Sequence, residues 1–265
     1  MIDGNDQHPE VGRPDKMHPQ DSGQEMEILY DKKYDCPLCG AALTSKKIRS
    51  RFIKPLKMDT DFCQVFSPEQ PNPLHYYVII CPGCCYGFYE DSSRIPGNVR
   101  EELTRQLDSW QLVHTKSYCG ERSLYDVIET YRLALTLAET IHEISINQAG
   151  LNIRLAWLFR SQQDRVNEMK YLSEALRHYE QSYYNGDFVK TNTTEIQLLY
   201  LIGELSRRLK NYAEAIRFFG MVIFHEDKSR NRKIVGLARD QWALAREEHK
   251  RENNGYTNLK EMVDE

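Results

Sequence analysis

Two matched cysteine turns constrain this chain more than any other feature. Cys36-Pro37-Leu38-Cys39-Gly40 and Cys81-Pro82-Gly83-Cys84 are both C-P-x-C turns, with residues 40–80 between the paired cysteines. Each turn presents two soft sulfur ligands, and two turns supply the four thiolates that enclose one tetrahedral Zn²⁺. Binding removes the thiol protons, and four protein ligands leave no open coordination position. Cys36, Cys39, Cys81 and Cys84 are therefore predicted to hold a structural ion rather than a catalytic one. An iron–sulfur cluster uses the same donor set, and four reduced thiols without metal are the plain alternative. Seven cysteines with four in paired turns point to metal in a reducing compartment rather than to disulfides. The first thirty residues carry no apolar h-region, so the cytoplasm is the expected location.

Around these turns the chain divides by pattern. Residues 1–26 are rich in Asp, Gln, Gly, Pro and His with little to bury, and read as a disordered tail in which His8 and His18 are solvated. A β-rich module is expected over residues 27–96. In it, Lys46 to Phe52 alternates, with Ile48, Ser50 and Phe52 on one face and Lys47, Arg49 and Arg51 on the other. One strand pair folds back across Cys36–Cys39. A second enters Cys81–Cys84 through Tyr76-Tyr77-Val78-Ile79-Ile80 and leaves through Tyr86-Gly87-Phe88-Tyr89.

From about residue 98 the apolar period changes to threes and fours. Helices are predicted over 99–113, 124–144, 150–162, 165–184, 194–209, 211–225 and 231–250, with a flexible tail over 251–265. Brief polar joints between them predict that residues 97–250 form an α-solenoid. Within it, Gly203, Asn211-Tyr212, Ala215, Phe219 and Val222 fall at the spacing of a tetratricopeptide (TPR) unit. Gly203 and Ala215 would be the helix crossing points, and Phe219 the filler beside them. A weaker upstream copy holds Ala156, Phe159, Asp164, Leu172 and Ala175, with Glu168 where alanine is usual. The fold class is thus mainly α, a TPR-like solenoid preceded by a small zinc-ribbon-like module.

The whole chain also resembles a bacterial family known as domain of unknown function 2225. The resemblance is carried by the two C-P-x-C turns, Asp59-Thr60-Asp61-Phe62, Asn72-Pro73-Leu74 and Tyr77. In the helices it is carried by Leu155-Ala156-Trp157-Leu158, Leu199-Tyr200-Leu201-Ile202-Gly203-Glu204 and Ala238-Arg239-Asp240-Gln241-Trp242. It spans about residues 30–250 and implies this architecture without an activity. One departure concerns the second turn, where the residue after Cys84 is usually glycine and is here Cys85. That position often takes positive φ, so the turn is expected to be distorted, or Cys85 to compete with Cys84.

The remaining candidates divide among three function classes. The first is a non-catalytic interaction protein, in which Asn152, Trp157, Arg160, Gln197, Tyr200 and Glu204 line a peptide- or protein-binding groove. The second is a nucleic-acid-associated regulator using Lys46, Lys47, Arg49, Arg51, Lys54 and Lys57, with Tyr76, Tyr77, Tyr86 and Tyr89 as stacking surfaces. Against it stand the net charge of −4 and the formal −2 of a tetrathiolate zinc. The third is an enzyme with a pocket between the modules, using Asp59 or Asp61; the plain reading of that pair is turn capping or ion pairing. Cys63 and Cys119 read as small buried residues, and a site built from Cys63, His75 and Cys85 would require convergence that spacing does not show. No phosphate-cradling glycine loop, nucleophile elbow or H-E-x-x-H motif is present. The interaction protein is the preferred reading.

Overall fold

A short hairpin is unstable in water unless something else buries its face, and the three hairpins of this molecule solve that problem in different ways. The computed structural model describes residues 26–110 and 116–263, with side chains to residue 254. The expected N-terminal tail, with His8 and His18, lies outside the described residues. Strand β1 (Leu29–Asp35) pairs antiparallel with β2 (Ala42–Ile48) in the register Leu29↔Ile48 to Asp35↔Ala42, and Cys36–Cys39 forms the turn. Strands β3 (Lys57–Met58) and β4 (Gln64–Val65) make a small hairpin that the sequence reading did not anticipate. Strands β5 (Ile79–Ile80) and β6 (Gly87–Phe88) flank the second cysteine turn as expected.

The alternating stretch at 46–52 is strand only as far as Ile48. Beyond it, the Arg49 amide donates to the Ile28 carbonyl at the end of the ladder, and Ser50–Phe52 forms a 3-10 turn. With the partner strand starting at Leu29, later residues have no ladder to join. Likewise the tyrosines before the second cysteine turn start in a 3-10 turn at Pro73–Tyr76, capped by the Asn72 side chain.

Seven α-helices follow among the described residues: α1 (Arg100–Ser109), α2 (Leu124–Thr140), α3 (Ser145–Ser161), α4 (Arg165–Asn185), α5 (Glu195–Arg208), α6 (Tyr212–Phe224) and α7 (Arg232–Val263). Their starts are chemically marked. Ser123 with Asp126, and Thr194 with Gln197, form capping boxes at α2 and α5, satisfying otherwise unpaired amides. The last helix continues to Val263, past residue 250, where the sequence reading placed a tail.

Consecutive helices pack on one another from α2 through α7. At the α5–α6 crossing, a Cβ on Gly203 would stand 2.9 Å from the Phe219 ring, so only glycine permits this approach. Upstream, Ala156 and Ala175 are fully buried, and Phe159 stacks on Tyr171 with ring centroids 5.4 Å apart.

The β part does not have a core of its own. Cys36, Leu43, Cys81, Tyr86 and Phe88 share one apolar cluster with Leu103 and Leu107 of α1, Leu137 of α2 and Ile141 just after it. Val78, Ile80 and Tyr89 join the larger cluster of the helices. The expected division near residue 96 falls inside this shared apolar interior. Buried Arg122 ties the two parts further, donating to the carbonyls of His75 at 3.0 Å, Val78 at 2.7 Å and Tyr118 at 2.7 Å.

Candidate functional site

The two cysteine turns are built alike. In the first, the Gly40 amide donates to Cys36 O at 2.9 Å and the Cys36 amide to Ala41 O at 3.0 Å. In the second, the Cys85 amide donates to Cys81 O at 2.8 Å and the Cys81 amide to Tyr86 O at 2.9 Å. Gly40 and Cys85 occupy equivalent positions, with φ of 73° and 62°. Cys85 thus adopts the left-handed conformation that glycine takes without strain, at a cost of roughly 1–2 kcal/mol. The expectation that this position needs positive φ holds, and the second turn keeps the geometry of the first. Cys85 is buried and does not belong to the sulfur cluster.

That cluster comprises Cys36, Cys39, Cys81 and Cys84, whose sulfurs all lie within 4.8 Å of one another, with no disulfide. Cys36 Sγ is 3.6 Å from Cys84 Sγ, and Cys39 Sγ is 3.7 Å from Cys81 Sγ. A tetrahedral ion with metal–sulfur bonds of about 2.3 Å requires sulfur–sulfur edges of about 3.8 Å, so these distances fit such an ion. The hydrogen bond from Cys84 holds the Cys36 thiol down, to about 5, while the same bond and burial push Cys84 up. Burial is also the chief cause that raises Cys81, to about 11. A cation at the centre would take over the role of the remaining protons. Arg100 of α1 donates to Leu38 O at 2.7 Å and Pro37 O at 2.9 Å, placing a fixed positive charge against the first turn. Nothing in the sequence distinguished this arginine from a surface one.

The six nominated groove residues do not line an open groove. The β3–β4 hairpin inserts its tip, Asp59 to Cys63, against α3 and α5, and four of the six are its seat. Asp61, fully buried, accepts from Trp157 Nε1 at 3.0 Å and takes the Arg160 fork at 3.1 and 2.6 Å. Asp59 accepts from Arg160 at 3.1 Å and from Arg208 at 2.9 Å. Thr60 donates from its hydroxyl to Glu204 at 2.5 Å and accepts from Tyr200 OH at its carbonyl at 2.8 Å. Phe62, at φ 66°, packs on Tyr200 with centroids 5.2 Å apart. Of the other two, Asn152 is buried, donating to Gln148 O at 2.9 Å, and Gln197 is engaged in the α5 capping box. Partners 96 to 149 residues apart in the chain explain why periodicity could not reveal this.

The insertion also accounts for two residues with no evident role. Glu168, where the upstream repeat copy lacks its usual alanine, accepts from Arg160 Nε at 2.7 Å and holds the guanidinium toward Asp61. Arg208, not singled out from sequence, grips Asp59, Thr60 and Glu204 together. Burial works to raise the Asp59 carboxyl, but the Thr60 amide, Arg208 and Arg160 outweigh it and hold it below its usual value. The ion-pairing reading of Asp59 and Asp61 is the one the geometry bears out.

The basic strand is partly neutralised. Lys46 pairs with Asp31 at 3.1 Å, and Lys47 pairs with Glu90, which Lys32 also reaches at 2.7 Å. Arg49 donates to Glu27 O and lies over Tyr30, and Arg51 lies over Phe52, while Lys54 and Lys57 are exposed. The expected stacking tyrosines are largely interior: Tyr86 and Tyr89 are buried, and Tyr77 stacks between Tyr89 and Tyr131. Cys63 is buried beside Asp61, and burial pushes its thiol up to about 12, so it is an inert packing residue. Cys119 reaches the Ile80 carbonyl at 3.8 Å. Among the described residues, no second group that could hold a metal forms from Cys63, His75 and Cys85.

No helix among the described residues is long and apolar enough to cross a membrane. Comparison with curated proteins finds no match, and comparison with solved structures finds none. A family model does match, over residues 29–245, which include both cysteine turns, the inserted hairpin and the helices down to α7. The chain belongs to the family of uncharacterized proteins conserved in bacteria, DUF2225.

Proposed function

We propose that this protein is a non-catalytic interaction scaffold in which a structural Zn²⁺ staples the two cysteine hairpins of the β part, which precedes TPR-like helices. The observation that carries this reading is the cluster of four sulfurs within 4.8 Å of one another, two of its edges at 3.6 and 3.7 Å. Soft thiolate donors suit zinc, and four of them leave no position for a substrate or an activated water. Cys36, Cys39, Cys81 and Cys84 would hold the ion; what it supplies is fold, not chemistry. A reducing compartment such as the cytoplasm would keep such a site intact.

The helices then act as a frame. Close approach at Gly203 and the ordered packing of neighbours support a TPR-like array with partner surfaces. Because the hairpin tip already covers Trp157, Arg160, Tyr200 and Glu204, a protein partner docks elsewhere on the array or displaces the tip.

Elemental analysis of purified protein tests the core of this reading. One zinc per chain is expected, falling to none in Cys39→Ser and unchanged in Cys119→Ser. A metal-free wild type, or iron with visible charge-transfer absorbance, would overturn the assignment. Hydrogen exchange on Cys39→Ser adds a second readout, with protection expected to be lost over residues 29–90.

A further inference from the structure

The face of α3 that receives the hairpin tip is only partly covered. Gly150, Arg154 and Trp157 follow one another at spacings of four and three, along one side of the helix. Trp157 meets the inserted Asp61. Toward the N-terminus of the helix, a cavity of about 450 Å³ opens between α3, Tyr179 of α4, the segment 189–193 and Tyr77 of the β part. This volume is in the range of small-molecule sites.

Arg154 stands in its wall. Its guanidinium lies 4.2 Å over the Tyr77 ring, and Nη1 donates to Gly150 O at 2.6 Å. A Cβ on residue 150 would come within 2.9 Å of that nitrogen, so glycine leaves the guanidinium its room. Among the described residues, no carboxylate pairs with Arg154, and its Nε and Nη2 have no hydrogen-bond partner. The Tyr77 and Tyr179 hydroxyls likewise lack one among those residues, and Lys190 adds a second positive charge to the lining. The one carboxylate of the lining, Asp91, is exposed.

The seat of the inserted tip, formed by α3 and α5, shows what its arginines take. Arg160 and Arg208 are each satisfied by carboxylates of the inserted tip, with forked geometry at Asp61. Arg154 has the same type of donor and no such acceptor. An arginine held over an aromatic ring beside a cavity is pre-organised for a planar or tetrahedral oxyanion. We propose that this cavity binds a small molecule through a carboxylate or phosphate group that pairs with Arg154, its body lying against Tyr77 and Tyr179. The site is separate from the sulfur cage and does not depend on which metal fills it.

The test uses the full-length, metal-loaded chain. Phenyl phosphate, benzoate, inorganic phosphate and the neutral benzamide are titrated to about 10 mM, followed by protein-observed NMR and calorimetry. Phenyl phosphate or benzoate is expected to saturate at least about tenfold more tightly than benzamide, a difference of about 1.4 kcal/mol. Tighter binding of phenyl phosphate assigns a phosphate ligand, and tighter binding of benzoate a carboxylate. Inorganic phosphate saturating as tightly as phenyl phosphate would overturn the contact of a ligand body with Tyr77 and Tyr179. Arg154→Met should weaken binding at least tenfold while keeping the metal and the melting transition. If that variant does not fold, Asp91→Asn decides: removing the rim's negative charge should tighten oxyanion binding about two- to threefold and leave benzamide unchanged. Absence of saturation by both aromatic oxyanions, equal affinity for benzamide, or an unmoved affinity in Asp91→Asn would overturn the proposal.

Discussion

Two joints hold the β part, a sulfur cage that ties its two cysteine hairpins to each other and a hairpin tip inserted among the helices, and the two work differently. The cage gathers four identical donors from two local turns, and a single ion can satisfy all of them at once. The tip inserts two carboxylates and a hydroxyl among arginines drawn from helices about a hundred or more residues away. The first joint is modular: each turn is closed by amide hydrogen bonds among its own few residues. The second exists only when the fold is complete, because a buried carboxylate is tolerated only with its partners in place. A local motif can therefore announce a site, whereas a distributed one stays silent until the chain folds.

The sharpest way to separate the joints is to remove one at a time. Cys39→Ser or a strong chelator should have the largest effect, since structural zinc supplies on the order of 10 kcal/mol of apparent folding energy in small modules. Circular dichroism melts and hydrogen exchange should show residues 29–90 opening while α4 to α6 retain protection. Uniform loss across the chain would mean that the cage supports the helices as well.

Asp61→Ala should come next. It leaves Arg160 and the Trp157 indole N–H without their shared acceptor inside the groove, and breaking such a pair costs about 3–5 kcal/mol. Urea unfolding would measure that loss, with zinc content expected to stay at one per chain. A double-mutant cycle with Arg160→Met should return a coupling energy of about 1–3 kcal/mol. A coupling near zero would reduce the tip to a bystander.

A smaller effect is expected at Cys85. Both Cys85→Gly and Cys85→Ala remove the thiol, so their difference isolates the backbone at φ 62°. The glycine variant should be the more stable by about 1 kcal/mol in chemical denaturation, with zinc retained in both. Loss of zinc in both would make Cys85 a ligand after all.

The smallest concerns Glu90, held down to about 2 by hydrogen bonds from Lys32 and Lys47. Its folded-state value lies below the ordinary 4.5, so its contribution is full above about pH 4.5 and fades as pH falls toward 2. The stability difference between wild type and Glu90→Gln should therefore shrink across that window. A difference that grows with acidity would reverse the sign and place the charge in an unfavourable setting.

How much was legible beforehand follows from the same contrast. The C-P-x-C turns, the two flanking hairpins and the seven helices among the described residues could be read, though not every helix end, because each depends on residues near one another. Gly203 facing Phe219 was legible for a related reason, since a repeat spacing fixes which side chains meet across a helix pair. The third hairpin was missed because two-residue strands carry almost no period. Trp157, Arg160, Tyr200 and Glu204 were noticed for the right helix face and given the wrong occupant. Pattern places a side chain on a face, but not what arrives there from elsewhere in the chain.

By itself, then, the sequence determined the sulfur donors, the change from a period of two to one of 3.6, and the order of the elements, all set by short-range geometry and donor chemistry. Only the tertiary structure decided that Asp59 and Asp61 serve as internal ligands, that the expected groove is filled, and that Arg154 faces a cavity with no carboxylate paired to it among the described residues. Those outcomes depend on desolvation and charge pairing between distant segments, and such energies take values only once the segments meet.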